Sequence, residues 1–200
     1  MKNKKAKFPL ILLLILGLET LWSAYYPYDV QVWWTEFATA FFFIALLSAT
    51  YKKFQFSNFS YLLIFLFCFL QIIGAHYTFE RVPFDAVTRF FGFARNHYDR
   101  VAHFTIGLSG FLVSEFVRRQ KIIPSLKWAA FFGIVFVMAM ANFWELVEWI
   151  YAEIDGGSAG LAFLGSQGDS WDAQKDMLMD TLGAVVASML FCSYFGSKKK

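Results

Sequence analysis

Apolar residues along this chain fall in runs of about twenty, the length a helix needs to cross the roughly 30 Å hydrocarbon core of a bilayer. Six runs meet that measure, at residues 8–25, 30–51, 59–76, 99–117, 126–151 and 172–195. Leu, Phe, Ile, Ala and Val fill their interiors without the alternation of a lipid-facing barrel strand, so the pattern predicts helices. The expected fold is all-α: a polytopic membrane protein with six transmembrane helices, one integral domain over 1–200. The connections at 27–29, 77–98 and 152–171 are too short to hold a soluble domain.

Composition agrees, with 58% hydrophobic and 16% charged residues, against about a quarter charged in soluble domains. The formal net charge of +3 hides a strong asymmetry. Thirteen of the 18 basic residues, among them Lys2, Lys4, Lys5, Lys7, Lys52, Lys53, Arg118, Arg119 and Lys198 to Lys200, flank one set of helix ends. By the positive-inside rule those ends face the cytoplasm, with both termini inside. Every acid except Glu115 falls on the other side, where Trp22, Trp33, Trp34, Trp149 and Trp171 form an aromatic belt. The N-terminal lysines imitate a secretory signal, but Glu19, Leu21 and Trp22 replace a small-residue cleavage site, so the first span is expected to be retained. Topology explains the lysine clusters, and no nucleic-acid partner is expected; the lipid bilayer is the expected partner.

Ionisable residues inside spanning helices cost a few kcal/mol and usually face a protein interior or a water-filled cavity. Asp99 and His103 are four residues apart, and Gly107, Gly110 and Ser114 continue their stripe as a small-residue seam. Asp172, Asp176 and Asp180 repeat that arrangement above Gly183 and Ala187. Stacked carboxylates one turn apart repel, so at least one must hold a proton, meet a cation or pair with Lys175 or a loop arginine. Glu145 and Glu148 share a face of the fifth span, and His76 ends the third. Because the helices alternate in direction, all seven of His76, Asp99, His103, Glu145, Glu148, Asp172 and Asp176 are expected at one depth near the outer surface. Carboxylates with imidazoles form the ligand set of zinc, manganese or iron and also run acid–base chemistry. His76, Asp99, His103 and Asp176 are the expected ligands of a divalent ion (Zn, Mn or Mg), and Glu145, Glu148 and Asp172 the expected catalytic carboxylates. A hydrogen-bonded network that merely joins helices is the competing reading.

The loops add candidate anion contacts, Arg81, Arg95 and His97, since guanidinium groups suit phosphate; neutralising nearby acids is their plainer role. Residues 165–172, preceded by Gly156, Gly157 and Gly160, read as a tight turn with Asp169 or Ser170 capping the last helix. Glu115 is expected to pair with Arg118 or Arg119. Cys68 and Cys192 lie in apolar runs, with neither a disulfide framework nor a thiolate metal knuckle.

Four segments carry a resemblance: Gly74-Ala-His-Tyr-Thr-Phe-Glu-Arg-Val-Pro-Phe, Arg95-Asn-His-Tyr-Asp-Arg-Val-Ala-His-Phe, Glu145-Leu-Val-Glu-Trp and Leu164-Gly-Ser-Gln-Gly-Asp-Ser-Trp-Asp-Ala-Gln-Lys-Asp-Met. Through them nearly the whole chain resembles the YjdF family of bacterial inner-membrane proteins, whose activity is unassigned. More remotely, Asp99-Arg-Val-Ala-His-Phe and the acidic start of the last helix followed by Gly183-Ala are similar to VanZ-like membrane proteins. That second resemblance implies a cell-envelope lipid or glycan substrate. The expected protein is thus a multi-pass inner-membrane protein with a metal-binding site on its outer side that acts on an envelope lipid or its phosphate headgroup. A proton- or cation-coupled carrier and a noncatalytic scaffold are the alternatives.

Overall fold

A computed structural model describes residues 2–155 and 157–197. Gly156 and the Lys198 to Lys200 tail lie outside the described residues, as do the side chains of Lys2, Lys4 and Lys5. The described chain forms α1 (Lys2–Ser23), α2 (Val30–Thr50), α3 (Asn58–Tyr77), α4 (Asp85–Phe91), α5 (Tyr98–Gly107), α6 (Gly110–Arg119), α7 (Leu126–Asp155), α8 (Ser158–Leu164) and α9 (Asp172–Gly196), with a 3₁₀ turn at Phe79–Arg81. Of these, α2, α3, α7 and α9 are long and apolar enough to cross a membrane.

Local chemistry sets the helix ends. Asp29 starts α2 by accepting from the backbone N–H groups of Gln31 (2.8 Å) and Val32 (3.0 Å), and Ser57 caps α3 through the Ser60 N–H. Thr78 closes α3 in the left-handed region at φ 58°, and the chain folds back so that the Phe79 ring lies on Gly74, where a Cβ would come within 2.5–2.7 Å of it. At this end Trp33 Nε1 donates to Ser23 Oγ (2.9 Å), which donates to the Ile72 carbonyl (2.9 Å), tying α1, α2 and α3 together. The opposite, basic end is filled by an apolar core around Phe67, Phe111, Ala129, Ala187 and Phe191.

The helix expected at 99–117 is two helices. Leu108 and Ser109 have φ/ψ of −62/−16° and −60/−19°, and their N–H groups bond three residues back, to Thr105 (3.2 Å) and Ile106 (2.8 Å). This is a 3₁₀ joint. It falls where the small-residue seam changes neighbours. Gly107 lies against α9, its Cα 2.9 Å from the place a Gly183 Cβ would take, whereas Gly110 lies against Gly133 of α7. The loops expected at 77–98 and 152–171 also hold short helices, α4 and α8, and α8 bridges α7 and α2.

A methyl group at Gly183 would run into the Phe104 carbonyl and the Gly107 Cα, both backbone atoms that cannot swing aside. Gly183→Ala is therefore expected to destabilise the protein by about 1–3 kcal/mol. The measurement is thermal unfolding in detergent beside Gly17→Ala, whose Cβ would meet nothing within 4 Å; equal melting temperatures for the two variants would refute the close contact.

Candidate functional site

The first turns of α5 and the first half of α9 face each other across the Gly107–Gly183 contact, which places side chains at 99, 100 and 103 against those at 172, 176 and 180. Every one of these is charged or an imidazole, and Arg100, His103, Asp172, Asp176 and Asp180 are all buried. The spacing i, i+4, i+8 stacks the three aspartates on one face of α9. Arg100 resolves their repulsion. Its guanidinium bridges Asp172 and Asp176, donates to the Asp172 carbonyl (3.3 Å) and stands 3.6 Å from Asp169. Arg95 reaches the same Asp172 carboxylate at 2.7 Å and also donates to the Ser166 carbonyl at 2.7 Å. Asp172 is thus clamped between two guanidinium groups.

His103 occupies the next layer. Its Nδ1 lies 3.2 Å from Asp180 Oδ2, and its Nε2 lies 3.6 Å from Asp99 and 3.8 Å from Asp176. Asp99, His103 and Asp176 each present one ligand atom, all within 4.8 Å of one another. With bonds of about 2.0–2.2 Å to each ligand, this is close to the span of one ion's coordination sphere. Buried oxygens remain over: Asp180 Oδ1 and Glu145 Oε1 accept no hydrogen bond, and Asp176 Oδ1 has Arg100 and His103 near but no aligned donor. Unsatisfied buried carboxylate oxygens are costly, and a cation is one thing that satisfies them.

Two further helices carry acids with little or no access to solvent. On α7, Glu145 is buried and Glu148 accepts a 2.6 Å hydrogen bond from Trp144 Nε1. On α2, Glu36 accepts from Gln71 Nε2 of α3 at 2.9 Å, both side chains being buried.

Other expected site residues are elsewhere. His76 stacks on Trp22 (centroids 4.5 Å apart), its Nδ1 2.9 Å from the Ser23 carbonyl oxygen. It is five residues from Gln71, about 140° round the helix, so it looks toward α1 while Gln71 looks toward α2. Arg81 meets Glu80 at 3.4 Å and covers the Tyr28 ring at 4.2 Å. His97 packs on Phe93 at 4.5 Å; burial, with Arg95 and Arg100 nearby, holds its imidazole below the usual histidine range. Arg95 does reach the site, but as the partner of Asp172.

In the sequence reading Arg100 stands only among the loop arginines that could neutralise nearby acids, which is the role it has here, and Glu36 and Gln71 are missed. A signal existed for Glu36, since it is the one charged residue between 30 and 51. For Arg100 the signal was its i,i+3 relation to His103.

The segment before α9 is held over the site. Gly165 and Gly168 take positive φ of 63° and 83°, and Gln167 donates to the Asn96 carbonyl (3.1 Å). The Asp169 carboxylate accepts from Lys175 Nζ (2.6 Å) and the Trp171 N–H (3.1 Å), which hold it below the ordinary carboxylate range. Asp169 therefore forms a side-chain turn just ahead of α9, whose N-cap is Trp171 without a side-chain cap, so neither Asp169 nor Ser170 caps the helix as expected.

The family described as predicted membrane protein (DUF2238) matches residues 8–197 of this chain. The "Inner membrane protein YjdF" of Escherichia coli (strain K12) is 33% identical over 192 residues, covering 94% of this chain and 91% of that protein. No solved structure matches.

Removing the Arg100 guanidinium leaves Asp172 with Arg95 alone and Asp176 beside the imidazole only. Arg100→Met is expected to destabilise by about 3–5 kcal/mol, and the double variant Arg100→Met/Asp176→Asn to recover part of that loss. Melting temperatures of the four proteins in the cycle check this; an Arg100→Met protein as stable as the parent would mean the pairs carry no structural weight.

Proposed function

We propose, for a chain that belongs to the family of predicted membrane proteins (DUF2238), that it is a six-span inner-membrane protein whose Asp99–His103–Asp176 cluster, half-buried at Asp99 and buried at Asp176, binds a divalent metal ion and acts on an envelope lipid at its headgroup. The observation that carries the reading is the convergence of those three ligand atoms within 4.8 Å beside unsatisfied buried carboxylate oxygens. When bound, such an ion polarises a phosphoryl or carbonyl oxygen and yields hydroxide from water at neutral pH. Arg95 and Arg100 hold Asp172 in place, and through it the first turn of α9 that carries Asp176. Glu145, with its free Oε1, is the carboxylate placed to take or give a proton.

In this reading α1 and the α5–α6 pair complete six spans, with α5 and α6 together measuring about 30 Å. Lys7, Lys52, Lys53, Arg118 and Arg119 set their ends in the cytoplasm, and the cluster opens toward the periplasm. The name of the Escherichia coli relative supports the inner membrane as the location. Reporter-enzyme fusions after Phe54 and after Phe93 check the orientation, being expected active in a cytoplasmic and a periplasmic assay respectively; the reverse pattern refutes it.

A second reading, a proton- or cation-coupled carrier, is favoured by one observation, the break between α5 and α6 one turn below His103. Interrupted helices beside buried ionisable groups are a feature of carriers.

Elemental analysis of the detergent-purified protein tests the metal directly. About one zinc, manganese or magnesium ion per chain is expected, with a tenfold or greater fall in His103→Ala and in Asp99→Ala while both stay monodisperse. Protein without stoichiometric metal after gentle purification, or metal retained in both variants, would refute the reading.

A further inference from the structure

Two adjoining cavities open at the basic end of the molecule, far along the helices from the acidic cluster. The first, of about 380 Å³, is a groove walled by α1 and α2 over a floor of α3. It extends from Pro9 to Leu16 on α1, from Tyr51 back to Phe43 on α2 and from Tyr61 to Cys68 on α3. Since α1 and α3 leave the basic end and α2 arrives there, Pro9, Tyr51 and Tyr61 form the mouth. Below Ser48 the lining is apolar apart from the Cys68 thiol. At 1.5 Å per residue the groove is about 10–12 Å long, which fits within one leaflet, roughly half of a 30 Å hydrocarbon core.

The second cavity, of about 440 Å³, shares Tyr51 and Tyr61 with the groove, and their ring centroids are 6.1 Å apart. Its lining is polar, with Gln55, Ser57, Asn58 and Arg119. Arg119 is held in place: Nη1 donates to the Gln55 carbonyl (2.7 Å) and to Glu115 (2.6 Å), and the guanidinium covers the Phe54 ring at 4.4 Å. Glu115 also lines this cavity, but it is buried and its oxygens accept from Ser57, Ser60 and Arg119, so it presents no bare negative charge. The Tyr61 hydroxyl accepts from the Phe56 N–H at 3.3 Å, which leaves its own O–H to donate. Exposed Lys52 and Lys53 follow Tyr51 directly, and exposed Lys7 stands two residues before Pro9. Topology asks that basic residues gather at this end; it does not ask that they flank the tyrosine shared by an apolar groove and a polar cavity.

We infer that groove and cavity together form a binding site for one anionic phospholipid of the leaflet at the basic end. An acyl chain lies in the groove between α1 and α2, and the phosphate sits at the Tyr51–Tyr61 joint with the rest of the head in the polar cavity. Charge selects the occupant. A neutral lipid fills the groove equally well, but only an anionic head gains from Lys7, Lys52 and Lys53, because Glu115 is the one acid at this end of the sequence and Arg119 already neutralises it. The tyrosine hydroxyls and the Gln55 and Asn58 side-chain amides are the donor types that hydrogen-bond phosphate and glycerol oxygens. Both cavities are of the size that binds small molecules. The inference stands apart from the metal reading, since it uses the opposite end of the helices.

Native mass spectrometry of the detergent-purified protein, offered lipids of identical acyl chains with phosphoglycerol or phosphocholine heads, tests it. About tenfold preferential retention of the phosphoglycerol lipid is expected, as one molecule per chain. The preference falls to near parity in Lys52→Gln/Lys53→Gln. It persists in Lys127→Gln, which removes a basic residue at the same end but on α7, a helix that lines neither cavity. Ser48→Trp, at an exposed position on the groove wall, fills the groove and lowers retention of both lipids about tenfold. Equal retention of the two lipids by the parent overturns the inference, as does a preference that survives in the lysine pair or falls as far in Lys127→Gln. Unchanged retention in Ser48→Trp overturns it by removing the acyl chain from the groove. A parent seen as a lipid-free dimer that Ser48→Trp splits into monomers overturns it by making a second copy of the chain the occupant.

Discussion

Arg100 sits between Asp172 and Asp176 in a part of the molecule where neither water nor lipid can solvate three charges. A carboxylate moved into such surroundings without a counter-charge is penalised by several kcal/mol, so the start of α9 can be buried only if a cation comes with it. The rest of the acid-rich end follows from that requirement. Because Arg100 is on α5 and its partners on α9, the pairs fix the depth of one helix against the other. Arg95 then draws the 165–170 segment over the top through the Gly165 and Ser166 carbonyls. His103, one turn below Arg100, meets the next carboxylate down, Asp180.

Close approach makes those pairs reachable. Glycines at 107 and 183 let the α5 and α9 backbones touch, and Gly133 does the same for α7 against Gly110 and Ser114. Without a hydrophobic force between helices inside a bilayer, such contacts are what hold a bundle together. The 3₁₀ joint at Leu108 and Ser109 falls between the two seams, so its position follows from packing as much as from local propensity. It also leaves the polar upper half of this strut, α5, separate from the apolar lower half, α6, which inserts Phe111 into the core.

Much of the fold was legible because the signals are local. The expected 30–51, 59–76 and 172–195 differ by a residue or so from Val30–Thr50, Asn58–Tyr77 and Asp172–Gly196, since apolar length and caps such as Asp29 and Ser57 sit in the sequence beside the ends they set. The facing of Asp99 and His103 toward Asp176 was legible for the same reason, through matching stripes of acids above glycines. His76 and Glu36 show where such reading stops. Depth along the membrane normal can be counted from a helix end, but azimuth about the axis depends on which helix lies alongside, and that is a tertiary property. His76 has the right depth and the wrong azimuth; Glu36 has both, yet it stands alone in its helix with no companion to mark a stripe. The joint within 99–117 was hidden because both of its flanking glycines fit an uninterrupted seam equally well.

Glu115, at the basic end, supplies the comparison that separates structural acids from the others. It is 1% exposed, yet its carboxylate accepts from the Ser57 N–H (2.9 Å), the Ser57 hydroxyl (2.8 Å), the Ser60 hydroxyl (2.5 Å) and Arg119 (2.6 Å). The expected pair with a neighbouring arginine is there, and beyond it the carboxylate anchors the start of α3, more than fifty residues away in sequence. A buried acid that exists to join helices therefore has its lone pairs filled by the protein itself. Glu145 at the other end is 9% exposed and has an oxygen with no donor, while among the described residues Glu36 and the half-buried Glu148 each accept one side-chain hydrogen bond and have no basic side chain within ion-pair distance. If all four were there only to hold helices together, selection for stability would be expected to fill them alike. Between Glu115 and Glu145, both less than a tenth exposed, that difference in satisfaction is the physical reason for placing binding chemistry at the acid-rich end and structure at the α3–α6 end.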